Sequence, residues 1–113
     1  RAAMLRVLPN RIENRVGEPM ANPYLYIASQ IYAGLDGLQA KLAVPCENDP
    51  AAKPLPEDLG EALDALEADY VYCDGFGKDF IAYYCHIKRF EIARYGAADD
   101  KLAWLKSEYF NRF

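Results

Sequence analysis

The chain has 113 residues, 52% of them hydrophobic and 27% charged, with nine Tyr and five Phe. That balance is globular and excludes a disordered chain, while the net charge of −4 argues against nucleic acid or an anionic membrane surface as partner. Three cysteines, Cys46, Cys73 and Cys85, occur without a C-x-x-C pair, which supports neither a disulfide framework nor a thiolate zinc site and favours a reducing, cytoplasmic compartment.

Ala2 to Leu8 and Arg11 to Val16 read as two short strands joined by the turn chemistry of Pro9-Asn10, a predicted β-hairpin. Strand side chains alternate between faces, so Arg11, Glu13 and Arg15 share one face and Ile12, Asn14 and Val16 the other. An isolated hairpin is marginal in water, so these strands are expected to belong to a larger sheet. Asn22-Pro23 then has the form of a helix start, with Asn as cap and Pro in the first turn. Tyr24, Ala28, Ile31, Leu35, Leu38 and Leu42 predict an amphipathic helix over about 23–42. Gly34 and Gly37 each cost such a helix about 1 kcal/mol relative to Ala, a sign of close packing or of a break near Asp36.

Four prolines between Ala43 and Pro56 mark a loop. Asp58 to Ala68 reads as a second helix with Leu59, Leu63 and Leu66 inward, and Asp74 to Gly77 as a turn. A third helix over 78–94 carries Phe80, Tyr83, Ile87 and Phe90 as its stripe, with Gly96 placed to stop it. Asp99 or Asp100 can cap a last helix to about Arg112, with Leu102, Leu105 and Tyr109 inward. The expected fold class is α+β and mostly helical: a hairpin from a larger sheet, followed by about four helices. The longest nearly apolar stretch, 24–35, is too short to span a bilayer.

The chemistry concentrates at the start of the chain. Arg11 and Arg15 flank Glu13 on one strand face, Arg6 adds a third positive charge and Arg1 a possible fourth. One reading is a ladder of surface ion pairs, worth little energetically. The other is an anion site: guanidinium forks fit phosphate or carboxylate, and a carboxylate beside them can hold a hard divalent cation. His86 and Cys85 are adjacent in sequence and do not share a helix face, so both are read as structural. Asn22 is read as a cap, and Lys88, Arg89 and Glu91 as a solvated helix face.

Several motifs in this order resemble the glutamine synthetase family: Arg11-Ile-Glu-Asn-Arg15 its R-x-E-x-R, Ala21-Asn-Pro-Tyr-Leu25 its A-N-P-Y-L, and Ala33-Gly-Leu-Asp-Gly37 its A-G-L-D-G. Leu59 to Leu63, Lys88 to Glu91 and Glu108 to Phe110 resemble later family segments, so the likeness covers the whole chain. It implies that residues 1–113 are the C-terminal segment of a catalytic domain, with active-site strands over 1–16 and a helical part over 22–113. It implies an ATP-dependent glutamate–ammonia ligase using Mg2+ or Mn2+, working through γ-glutamyl phosphate in a ring-shaped homo-oligomer. By this resemblance Arg1 and Arg15 are catalytic, meeting the transferred phosphoryl group and the glutamate side chain. Arg6 and Arg11 contact nucleotide phosphates, and Glu13 is a metal ligand. Leu8 stands where the family has proline, Ala2 follows Arg1 in place of a hydroxyl residue, and the loop to Arg11 is short, which points to a divergent branch. A ligase joining glutamate to a polyamine or methylamine, and a non-catalytic helical module, stay open beside the ammonia reading. The chain opens on Arg directly into a strand, and is expected to be a segment without activity of its own.

Overall fold

The computed structural model describes residues 4–43 and 53–111. Arg1, Ala2 and Cys46 lie outside the described residues. The chain divides into two compact units, Arg1–Leu55 and Pro56–Phe113.

The first unit holds strands β1 (Leu5–Leu8) and β2 (Arg11–Asn14) and helix α1 (Pro23–Gln39). The strands pair antiparallel in the register Leu5–Asn14, Arg6–Glu13, Val7–Ile12 and Leu8–Arg11. The Arg15 amide donates to the Met4 carbonyl at 3.0 Å and prolongs the ladder. Helix α1 begins as its sequence dictates. The Asn22 side-chain oxygen accepts from the amides of Tyr24 and Leu25 at 3.0 and 3.3 Å, and Pro23 needs no donor in the first turn.

Neither Gly34 nor Gly37 breaks α1, which ends sooner than the apolar spacing predicts. Lys41 takes a left-handed φ of 51°. Its amide donates to the Leu38 carbonyl at 3.2 Å and the Leu42 amide to the Gly37 carbonyl at 3.0 Å. These two reversed bonds are a Schellman closure, and Leu42 falls beyond the helix.

The second unit is helical: α2 (Leu59–Ala68), α3 (Tyr70–Phe76), α4 (Lys78–Ala97) and α5 (Lys101–Leu105), followed by a π-helical turn over Lys106–Phe110. The Asp58 carboxylate caps α2, accepting from the Glu61 amide at 2.8 Å, and the Glu61 carboxylate accepts from the Glu57 amide at 2.9 Å. This exchange is close to a capping box. Asp69 caps α3 through the amides of Val71 and Tyr72, and Asp100 caps α5 through Ala103.

Four expectations are corrected in this unit. Asp74 to Gly77 is not a turn throughout, because α3 runs to Phe76 and only Gly77 turns the chain, at φ 90°. Gly96 does not stop α4, which runs to Ala97. The inward face of α4 is set by Ile81 and Cys85, which with Leu63 form the buried core. Phe80, Tyr83, Ile87 and Phe90 instead stay 38–67% exposed. Leu66, Tyr72, Cys73, Phe76, Tyr84 and Ile92 pack around the core trio, and the rings of Tyr72, Phe76, Phe80 and Tyr84 follow one another at centroid spacings of 5.8 to 6.3 Å. The last helix is also interrupted. It turns π-helical at Lys106, leaving Leu102 exposed and Glu108 buried. None of the described helices is long and apolar enough to cross a membrane.

Cys85 is fully buried, and burial, with Glu67 nearby, pushes its thiol pKa up from the ordinary 9.0. Only the thiolate reacts readily. Iodoacetamide is therefore expected to label the half-buried Cys73 before Cys85 under native conditions, as read by peptide mass spectrometry. A raised folded-state pKa stabilises the neutral thiol, so this contribution is complete below about pH 9 and is lost as pH rises through the folded value.

Candidate functional site

The alternation of β2 and the register of the hairpin decide which side chains meet. Residues paired across an antiparallel ladder lie on the same face, so Arg6 joins Glu13, and Leu8 joins Arg11. The opposite face carries Leu5, Val7, Ile12 and Asn14, and Asn14 Nδ2 donates to Gln30 Oε1 of α1 at 3.0 Å.

On the charged face Glu13 is the centre. Arg6 Nη1 donates to Glu13 Oε2 at 3.4 Å, and Arg15 Nε lies 3.8 Å from Glu13 Oε1. Arg15 is the best covered of the three, its side chain 19% exposed against 43% for Glu13 and 52% for Arg6. The long distances and the open face leave donor capacity on both guanidinium groups. Arg11 lies on the same face, but its Nη1 donates to Asn10 Oδ1 at 3.4 Å, so its side chain serves the turn rather than Glu13. The structure thus brings together Arg6, Glu13 and Arg15, with Arg11 at the rim. Arg1 lies outside the described residues.

These groups present fixed positive charge around one carboxylate, an arrangement suited to a phosphate or carboxylate anion. It does not amount to a metal centre by itself. Among the described residues no three His, Cys, Asp or Glu side chains gather as a cation site, and a single carboxylate is too few ligands for magnesium. Glu13 can supply one ligand, and the others would have to come from outside the described residues.

Sequence reading passed over the charged clamps of the helical unit. Arg89 donates to Asp64 and Glu67, both at 2.7 Å, and ties α4 to α2. These bonds raise the Arg89 pKa further above its usual range. Arg94 holds Glu108 by two bonds of 3.2 and 2.8 Å, which raises its own pKa and satisfies the buried carboxylate. Glu91 accepts from Lys88 Nζ at 2.9 Å and from the Tyr109 hydroxyl at 2.7 Å. The Lys88–Glu91 spacing was visible in the chain. The 25-residue reach from Arg89 to Asp64 and the 14-residue reach from Arg94 to Glu108 were not, because no local period links residues so far apart. The Arg89 and Arg94 clamps each join two elements of the helical unit.

The family model for the glutamine synthetase catalytic domain matches residues 1–106. A gamma-glutamylanilide synthase of Acinetobacter sp is 43% identical over 98% of this chain and 26% of its own length. The human lengsin is 38% identical over 88% of this chain and 21% of its own, and the glutamine synthetase of Haemophilus influenzae is 37% identical over 78% and 22%. The chain therefore spans about a quarter of the length of these relatives or less. No solved structure matches it significantly. With its hairpin of arginines around a glutamate and a family match running through nearly all its residues, the chain belongs to the glutamine synthetase catalytic-domain family.

Proposed function

We propose that this chain supplies the anion-binding strand face of an ATP-dependent glutamate–ammonia ligase. The observation that carries the reading is the Arg6–Glu13–Arg15 cluster, held on one face of a hairpin within a glutamine synthetase domain. In this role Arg15 faces the glutamate side chain, with Arg1 beside the phosphoryl group being transferred. Arg6 and Arg11 meet nucleotide phosphates, and Glu13 is one ligand of a divalent cation. The glutamate side-chain carboxylate would attack the γ-phosphorus of ATP, releasing ADP and forming an acyl phosphate, and ammonia would then attack the acyl carbon and displace inorganic phosphate. Both steps crowd negative charge, and preorganised guanidinium groups lower that cost without reorganising at the moment of reaction. The sheet makes the platform rigid, because every second strand residue is aimed the same way.

A second reading, ligation of glutamate to an organic amine, is favoured by one observation: the 43% identical Acinetobacter relative is a gamma-glutamylanilide synthase. Grafting tests both. This chain should replace the matched stretch in the Haemophilus influenzae glutamine synthetase and, separately, in the Acinetobacter enzyme. The ammonia reading expects glutamate- and ammonia-dependent ADP release from the Haemophilus chimera. Productive grafting only in the Acinetobacter host, with aniline as acceptor, would favour the amine reading. Correctly assembled chimeras of both hosts without turnover would exclude a catalytic role.

A further inference from the structure

Arg15 stands one residue past the end of β2, which closes at Asn14. Its amide donates to the Met4 carbonyl at 3.0 Å. Glu13 does not fix its guanidinium group, because Arg15 Nε lies 3.8 Å from Glu13 Oε1, longer than a hydrogen bond. The side chain before it does more. Asn14 Oδ1 accepts from the Val16 amide at 2.9 Å, a bond from residue i to i+2 that closes a turn around Arg15. Asn14 Nδ2 donates to Gln30 Oε1 of α1 at 3.0 Å. Two residues after Arg15, Gly17 comes so near α1 that a Cβ placed on it would lie 3.3 Å from the Tyr26 hydroxyl. The backbone that carries Arg15 is therefore held to α1 before and after it. The side chains of Arg6 and Arg11 instead bond Glu13 and Asn10, within the hairpin.

We infer that Asn14 is a positioning residue: its amide ties the turn at Arg15 to Gln30 of α1 and so aims the Arg15 guanidinium on the anion face. The effect on rate rests on the ligase reading, whereas the effect on Arg15 rests on the geometry alone. Asn14 alternates to the strand face opposite Glu13 and Arg15, so it acts through its neighbour rather than on a ligand. A long arginine side chain follows its Cα–Cβ bond, and a small rotation of the backbone is magnified at the guanidinium. A displacement of about 1 Å near the reacting groups can cost on the order of 100-fold in rate. The amide suits the task because it offers an acceptor and a donor on one short, rigid group. A carboxylate in its place would lack the donor, and an aliphatic side chain would lack both.

The test is a pair of double-variant cycles in the Haemophilus chimera, joined to a measurement on the chain itself. Asn14→Ala should lower kcat by about tenfold and leave the KM for ATP within about twofold, because Arg6 and Arg11 keep their places in the ladder. On an Arg15→Gln background the same substitution should cost less than about twofold, because no guanidinium is left to aim. A merely structural loss would persist there. Gln30→Ala, at an exposed position, should also lower kcat, and the Asn14→Ala, Gln30→Ala pair should be no worse than Asn14→Ala alone. The readout at Arg15 needs no turnover. In the 113-residue chain, the order parameter of the Arg15 Nε–H bond, from nitrogen-15 relaxation, should fall in Asn14→Ala and in Gln30→Ala, while that of Arg6 holds. An inactive unsubstituted chimera would sink the ligase reading and leave this measurement to decide the positioning role. Gln30→Ala keeps the turn to Val16, so it carries the test should Asn14→Ala fail to fold by circular dichroism. Two results would overturn the inference. One is an Arg15 order parameter unchanged in a folded variant. The other, in an active chimera, is a kcat that Asn14→Ala leaves level or lowers as much without Arg15 as with it.

Discussion

Glu13→Gln is expected to lower ATP-dependent turnover of the grafted Haemophilus enzyme by about 10²–10³-fold, the usual loss when one preorganised group is removed from developing charge. The substitution keeps the shape of the side chain and removes its charge, and with it the capacity to bind a hard cation. Arg15→Gln should cost a similar factor, expressed in kcat, because it removes charge where the glutamate carboxylate is phosphorylated. Arg6→Gln and Arg11→Gln should act more on the KM for ATP, since they are assigned to nucleotide phosphates. The competing account of the same face is a ladder of solvent-exposed ion pairs, whose worth is about 0–1 kcal/mol. That account requires turnover to stay level while urea midpoints shift slightly. Steady-state kinetics and urea denaturation on the same four variants decide between them. Full activity in Glu13→Gln would remove the ligase assignment.

Leu63→Ala is expected to destabilise the helical unit by about 2–5 kcal/mol, the range for truncating a buried leucine. Leu63, Ile81 and Cys85 are the buried apolar side chains among the described residues, so a cavity there strikes the contact between α2 and α4 directly. Phe90→Ala, on the exposed side of α4, should change stability by no more than about 0.5 kcal/mol despite the larger truncation. The chain has a single tryptophan, Trp104, packed edge-on against Tyr95 and Tyr109. Its fluorescence therefore reports unfolding of this unit in urea. If Phe90→Ala cost as much as Leu63→Ala, the inward face of α4 would have to be reassigned to the Phe80–Phe90 stripe.

The contrast between those two substitutions shows where local reasoning reaches its limit. Asn22, and Asp100 as one of two candidates, could be recognised as caps because a cap is a bond between residues two or three apart, and both make it. The hairpin was equally legible, since a Pro-Asn turn and alternating residues are local features, and so was the shared face of Arg11, Glu13 and Arg15. Helix α3 was hidden by Gly75 and Gly77. A glycine costs a helix about 1 kcal/mol, and here the Asp69 cap and the packing of Tyr72, Cys73 and Phe76 around the core offset it.

On α4, periodicity is ambiguous by construction. Phe80, Tyr83, Ile87 and Phe90 repeat at helical spacing, but Ile81, Cys85 and Ile92 do as well. A period says that a face is apolar without saying which face meets a neighbour. Arg89 and Arg94 illustrate the same point for charge, as the partners of Arg89 lie 22 and 25 residues away and that of Arg94 lies 14 away.

By itself, the order of residues determined the hairpin, the starts of α1, α2, α4 and α5, the family, and the placing of Arg6, Glu13 and Arg15 in one short hairpin. These rest on interactions within a few positions of the chain, or on motifs kept in register. The tertiary structure decided that Arg6 rather than Arg11 reaches Glu13 and that Ile81 and Cys85 are the buried side of α4. Those outcomes depend on which distant surfaces are brought together, and burial is a property of the neighbour as much as of the residue.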